Sequence, residues 1–276
     1  MGAGCGSSKV SGSVGGANRR CAMSSIVAGP PEVEIDYPEG PPSVPESDSH
    51  TTRRMELLVA LRHWCSNRSD MQDAWVSSDI NVYYREGDPK VVVAPDIAVA
   101  FGVDVAAVEG KSVYKVWEAG AAPCFALEIA SPRTRRTDLH VKPAKFAELG
   151  VDEYWRLDPE GGELLNPPLQ GERRQAGSWV PIEVVPEDDG LRGRSEVLGL
   201  DLCWQPPKLR LWDVAAGDWL PDHDDLAARA DEEAAARRAA ERAARAAEAN
   251  AAEQAAARQA AEAELAELRA RLDGAP

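Results

Sequence analysis

Apolar positions recur along this chain with two different periods, and they divide it into elements. Over 51–65 the spacing is helical: Met55, Leu58, Val59, Arg62 and Cys65 fall on one stripe, widened by Leu57, Leu61 and Trp64. Ser49, Thr51 or Thr52 supplies its N-terminal cap, and His50 reads as a terminal polar residue. Strand-like runs follow at 75–84 and 90–101, separated by the turn chemistry of Arg85-Glu86-Gly87-Asp88-Pro89, so the pair is expected to form a hairpin. Residues 102–123 read as a connection with brief pairing near Tyr114–Trp117, and 124–130 is the next strand. A helix is predicted over 138–149, with Leu139, Phe146 and Leu149 inward and Gly150 ending it. Pro143 within it requires either a kink or a regular helix beginning near Lys142. A strand at 152–157 and short strands near 172–175, 179–185, 200–204 and 209–212 read as an antiparallel extension of the sheet.

Alternation places two acids. In Cys124-Phe125-Ala126-Leu127-Glu128-Ile129-Ala130, the residues Phe125, Leu127 and Ile129 share one face, and Glu128 shares the other with small residues. The upstream run repeats the arrangement: Asp96 lies among Ala94, Ala98 and Ala100. A buried carboxylate is costly unless it is paired or holds a cation, and neither acid has a sequence neighbour to pair with. Two strands, each with one acid on an alanine-lined face, read as the floor of a cleft. The plainer alternative makes both acids edge-strand or turn residues.

Composition narrows this picture. The chain has 276 residues, room for one ordinary domain plus tails. Residues 1–48 are rich in Gly, Ser and Pro and are expected to be disordered; 49–222 form the domain; 223–276 turn to Ala, Glu and Arg. Within that tail Glu233/Arg237, Glu241/Arg245 and Glu267/Arg271 are spaced four apart, and Leu265, Leu268 and Leu272 form a short apolar seam. A long helix follows, either a coiled-coil strand or a single solvated helix. The net charge of −15 argues against nucleic-acid binding by the whole surface. Against that background Arg133, Arg135, Arg136, Lys142 and Lys145 crowd around the single acid Asp138. This basic patch directly follows the Glu128 strand, although such runs are also found at solvated helix starts. The cysteines at 5, 21, 65, 124 and 203 contain no C-x-x-C pair, which fits a reducing cytoplasm. No apolar run approaches the roughly 18 residues of a membrane span.

A strand aspartate, a strand glutamate and a nearby lysine make chemical sense together. Magnesium takes oxygen ligands and keeps several waters, so one or two carboxylates plus a phosphate suffice to hold it. An ammonium adds stabilisation of developing negative charge, and arginines hold a phosphate backbone.

These residues resemble the Uma-type restriction endonucleases, a bacterial group in the PD-(D/E)XK nuclease superfamily. The resemblance is carried by V-A-P-D-I-A-V-A-F-G-V (93–103), L-E-I-A-S-P-R-T-R-R-T-D-L-H-V-K (127–142), G-V-D-E-Y-W-R-L-D-P (150–159), V-L-G-L-D-L (197–202) and the Ala/Glu/Arg tail. It implies an α/β fold: a PD-(D/E)XK nuclease-like mixed sheet flanked by helices, with the antiparallel extension and the long C-terminal helix. It implies a metal-dependent DNA endonuclease, with Mg²⁺ or Mn²⁺ held by Asp96, Glu128 and the carbonyl of Ile129. Position 130, where the superfamily pattern has lysine, is alanine; the family lysine stands on the following helix and corresponds to Lys142, with Pro143 directly after it as a departure. Arg133, Arg135, Arg136 and Lys145 are then expected to contact DNA, and the C-terminal helix to form a homodimer. The superfamily also contains inactive members, so the competing expectation is a nucleic-acid-binding or scaffold protein that recruits partners through its coil.

Overall fold

The computed structural model describes residues 35–38, 48–188 and 190–273. The segment expected to be disordered lies almost wholly outside the described residues. Apart from Ile35, everything described belongs to one unit, Asp36–Pro276.

The chain enters through α1 (Asp48–Ser66), which begins before the expected cap, so that Ser49, Thr51 and Thr52 lie inside it. Its buried stripe is Leu57, Leu58, Leu61, Trp64 and Cys65, while Met55 is exposed. The expected hairpin is present but split. β1 (Trp75–Ser77) pairs with β4 (Ile97–Ala100), and β2 (Asn81–Tyr83) pairs with β3 (Val92–Val93), in two different sheets. The break has local causes. Asp79 sits at φ 51° and donates its N–H to the Pro95 carbonyl at 3.0 Å. Pro95 has no N–H to continue the ladder. Asp96 therefore lies in the bend just ahead of β4.

Within the connection, α2 (Val105–Val108) is capped by the side chain of Asp104. β5 (Val113–Lys115) pairs parallel with β2, and α3 (Val116–Ala119) stops at Gly120 with φ 80°. β6 (Phe125–Ile129) then runs antiparallel to β4. The predicted single helix is two: α4 (Arg135–His140) and α5 (Lys142–Leu149), hinged at Val141, with Pro143 in the first turn of α5. That location suits a proline, whose missing N–H has no intrahelical partner there. β7 (Glu153–Leu157) lies parallel to β6, and β8 (Leu169–Gln175) and β9 (Ser178–Ile182) extend this sheet antiparallel.

The later strands do not continue that sheet. β10 (Val184–Glu187), β11 (Gly190–Ser195), β12 (Leu200–Gln205), β13 (Lys208–Asp213) and β14 (Asp218–Trp219) form a separate antiparallel sheet. The first sheet runs in the order β1-β4-β6-β7-β8-β9. One of its faces gives Ile97, Val99, Phe125, Leu127, Ile129 and Trp155 to a core shared with α1 and with Leu200, Leu202 and Trp204 of the second sheet. The opposite face gives Ala100, Ala126 and Tyr154 to a smaller core with Phe146, Val82 and Tyr114. The alternation read from 124–130 is thus the division between two cores.

Trp155 is the pin between the sheets. A Cβ on Gly193 would lie 2.7 Å from its ring, and one on Gly171 2.8 Å. Both glycines leave room for the fully buried indole. Gly193→Ala is therefore expected to lose about 1–3 kcal/mol through overpacking, read as a lower urea midpoint at unchanged slope. An unchanged midpoint would show that the ring does not fix the spacing of the sheets.

The chain ends in α6 (His223–Asp273). Asp222 and Asp225 cap its start reciprocally: Asp225 N–H donates to Asp222 Oδ1 at 3.0 Å, and Asp222 N–H donates to Asp225 Oδ2 at 3.1 Å. Within it Arg237 pairs with Glu241 at 3.2 Å and Arg258 with Glu262 at 2.9 Å, the reverse of the Glu-to-Arg order expected at 233/237 and 241/245. The side chain of Arg271, in the third expected pair, lies outside the described residues. No helix among the described residues is long and apolar enough to cross a membrane.

Candidate active site

The smaller-residue face of the first sheet carries the acids. β4 and β6 pair with Ile97 opposite Leu127; extending that register by one residue sets Asp96 opposite Glu128. Glu128 is 1% exposed, beside Ala126 and Ala130. The bend before β4 turns the Asp96 carboxylate onto the neighbouring strand, where Oδ2 accepts the Ile129 N–H at 2.7 Å.

Two further elements close on this pair. Lys142, the first residue of α5, places Nζ 2.5 Å from Glu128 Oε2 and 3.0 Å from Asp138 Oδ1. Lys142 thus reaches Glu128 from the following helix, with Pro143 directly after it in the first turn. From α1, His50 Nε2 lies 2.9 Å from the Ile129 carbonyl oxygen and 3.4 Å from Asp96 Oδ2. Both neighbours are acceptors, so Nε2 carries the hydrogen. His50 is 5% exposed and is a site residue, not a terminal polar one. It meets the Ile129 carbonyl, the group expected as a metal ligand.

The remaining expected residues separate. Arg133, Arg135 and Arg136 are exposed around the start of α4. Lys145 does not join them: its Nζ donates to the Val92 carbonyl at 3.0 Å and ties α5 to β3. Continuing across the sheet, Arg156 stands in register beside Glu128, with its guanidinium over the Tyr154 ring at 4.8 Å and paired with Glu172 at 2.7 Å.

Buried acids elsewhere are saturated with donors, which sets this cluster apart. Glu153 accepts from Ser195 Oγ at 2.5 Å, Trp155 Nε1 at 3.2 Å and the N–H groups of Glu196 and Val197 at 2.8 and 3.2 Å. Asp158 accepts four backbone N–H groups and shapes its loop. By contrast, Glu128 Oε1 has no hydrogen-bond donor among the described residues, and around the Asp138 carboxylate stand side chains, the Lys142 ammonium at 3.0 Å and the Thr134 hydroxyl. The Asp138–Lys142 contact is an ion pair between residues four apart.

Electrostatics follow from that shortage. Burial pushes the Glu128 carboxyl well above its ordinary value; Lys142 opposes the shift, and Asp96 and Asp138 add to it. Burial also raises Asp138, again against Lys142. For Asp96 burial acts upward too, but His50, Lys142 and the Ile129 N–H together hold it below its ordinary value. Burial works against the Lys142 ammonium, and Glu128, Asp138 and Asp96 outweigh it, so the lysine stays charged. Three carboxylates face one ammonium, leaving an excess of negative charge in a nearly closed space.

Among the described residues no group of three or more His, Cys, Asp or Glu forms a ready-made metal cage. A hard divalent cation does not require one, since one or two carboxylates, waters and a phosphate complete its shell. The donor set fits such an ion: Asp96 and Glu128 lie opposite each other, and Glu128 has an oxygen without a donor.

Sequence reasoning missed His50 and Asp138 as members of this cluster. His50 is 79 residues from the carbonyl it meets, and nothing local marks it. Asp138 did carry a signal, its spacing of four from Lys142, but it entered only as the lone acid of the basic patch.

A search of curated proteins found no match. Among solved structures, one from Anabaena variabilis ATCC 29413, described as a "putative nuclease belonging to DUF820", is 16% identical, with a TM-score of 0.37 over 52% of this chain and 74% of that one. The model of the family Uma2, described as "Putative restriction endonuclease", matches residues 25–205 and so takes in the Asp96 bend, the Glu128 strand and both helices that flank Val141. The chain belongs to that family.

Proposed function

We propose that this protein is a divalent-metal-dependent endonuclease that hydrolyses phosphodiester bonds in DNA. The observation that carries the reading is Glu128: a buried strand carboxylate with one oxygen lacking a donor, opposite Asp96 and 2.5 Å from a lysine ammonium. Asp96 and Glu128 are read as the metal-holding pair and Lys142 as the catalytic cation. Residues 49–222 are read as the nuclease-like domain.

A bound Mg²⁺ or Mn²⁺ would polarise the phosphate and acidify a bound water. The chain supplies the rest. His50 and the Ile129 N–H orient Asp96. Lys142 neutralises the charge that develops on the phosphate oxygens as water oxygen bonds to phosphorus and one P–O ester bond breaks. Arg133, Arg135 and Arg136 lie on solvent-facing backbone beyond the Glu128 strand and are read as contacts to the DNA backbone; replacing them with alanine should flatten the salt dependence of DNA binding. Lys145 is left out of that contact set because it is tied to β3. The thiols of Cys65, Cys124 and Cys203 are free, which supports a reducing cytoplasmic setting.

Incubation of supercoiled plasmid with the protein and Mg²⁺ or Mn²⁺ tests the reading. Nicked or linear product that disappears with chelator and with Glu128→Gln supports it. DNA binding without cleavage in either metal would instead favour a scaffold role.

A homodimer through α6 belongs to the same reading, since paired sites suit the cutting of both strands. Leu265 and Leu268 are 48% and 51% exposed. The start of α6 is anchored to the domain by Lys208–Asp222 and Arg210–Asp225, so a fair truncation ends after Leu226. Light scattering should give twice the chain mass for the full protein and a monomer for the truncated one; monomeric masses for both would rule the dimer out.

A further inference from the structure

Asp138 has no part in an arrangement of two metal-holding acids and one lysine, yet it is 1% exposed and faces that lysine. Its backbone is fixed, because the Tyr154 hydroxyl donates to its carbonyl at 2.9 Å. Its carboxylate faces the Lys142 ammonium at 3.0 Å and the Thr134 hydroxyl. Among the described residues no backbone N–H donates to it, unlike Glu153 and Asp158, so its charge is met by side chains. Its charged neighbour is the Lys142 ammonium, reached across the hinge at Val141.

The ammonium has three N–H donors and touches two acids at once, Glu128 and Asp138. A divalent cation on the free Oε1 of Glu128 and the ammonium on its Oε2 repel each other across one buried carboxylate. Resting on the metal-site reading proposed above, we infer that Asp138 is the seat onto which Lys142 withdraws when a cation takes Glu128. Asp138 is then a positioning residue: it holds Lys142 charged and beside the reacting phosphate, and it is not itself a metal ligand. The ammonium already touches both acids, so a small change in the Lys142 side chain shifts its weight from one to the other.

The two roles for Asp138 make opposite predictions for metal binding without any turnover. Mn²⁺ is titrated calorimetrically into the full-length parent, Asp138→Asn, Lys142→Met and the double variant. With Asp138 as the seat, Asp138→Asn weakens Mn²⁺ binding by about tenfold, in the range found when a supporting partner is removed, because Lys142 has nowhere else to go. Lys142→Met binds Mn²⁺ more tightly than the parent, and the double variant binds like Lys142→Met alone. If the double variant binds more weakly than Lys142→Met, Asp138 is a ligand and the inference is overturned. It is equally overturned if Asp138→Asn binds like the parent. A parent that binds no Mn²⁺ at all overturns the metal-site reading itself, an outcome distinct from either of these.

Discussion

Lys142→Ala is expected to slow DNA cleavage by about 10²- to 10³-fold, the scale on which removal of one preorganised donor to developing negative charge is felt. Mn²⁺ binding is kept, because the lysine is a competitor for Glu128 and not a ligand. The basis is placement: Nζ lies 2.5 Å from Glu128 Oε2 at the mouth of α5, within the acid cluster. The variant also leaves Glu128 and Asp138 without their counter-ion. Removing one partner of a buried pair is typically destabilising by about 3–5 kcal/mol, so its metal-free melting temperature should fall, and Mn²⁺ should raise it more than it raises that of the parent. Lys145→Ala is the control. Its Nζ is held by the Val92 carbonyl, and its loss should leave the cleavage rate within a small factor of the parent. Equal rate losses in the two variants would show that Lys142 acts through general packing of α5 and has no catalytic role.

The second large effect is a pH dependence of stability in chelator. Burial raises the folded-state Glu128 carboxyl well above its ordinary 4.5. Between those two values the folded state holds a proton that the unfolded state has released. Stability therefore falls as pH rises through that window. Asp138, raised above its ordinary 3.8, contributes with the same sign. Asp96, held below 3.8, contributes with the opposite sign and only in more acid solution. Lys142, held above 10.5, keeps its charge throughout and loses its contribution only at the alkaline end. Melting temperature in chelator should thus decline from about pH 5 upward in the parent and decline much less in Glu128→Gln. Saturating Mn²⁺ should flatten the parent's profile as well. Parallel profiles for parent and variant would mean that Glu128 is solvated and that its burial has been misread.

Much of this site was legible because its two strands obey alternation. Phe125, Leu127 and Ile129 go to the core shared with α1, and Ala126 and Glu128 go to the other face, as the period-two pattern requires. Asp96 opposite Glu128, and Lys142 reaching in from the following helix, followed from the same strand and from the motif order. Other features were hidden for stated physical reasons. The hairpin divides between sheets because of one residue at positive φ, Asp79, and a proline facing it at position 95, neither of which disturbs the apolar pattern. β11 reads G-L-R-G-R-S and has no alternation to find; its glycine at 193 is small because Trp155, 38 positions earlier, needs the space. The second sheet is distinguishable from an extension of the first only through pairing, which is long-range. His50 belongs to the site through a contact that α1 creates by packing across β6, and Asp138 is buried because Tyr154 holds its backbone.

Whether Asp96 and Glu128 form one divalent-cation site is tested most directly by Mn²⁺ calorimetry on the parent, Asp96→Asn and Glu128→Gln at neutral pH. Both substitutions keep shape and remove charge. The parent is expected to bind Mn²⁺ saturably, and each variant to lose that binding. Binding of equal strength in all three proteins would contradict a shared site, and the two acids would then be structural.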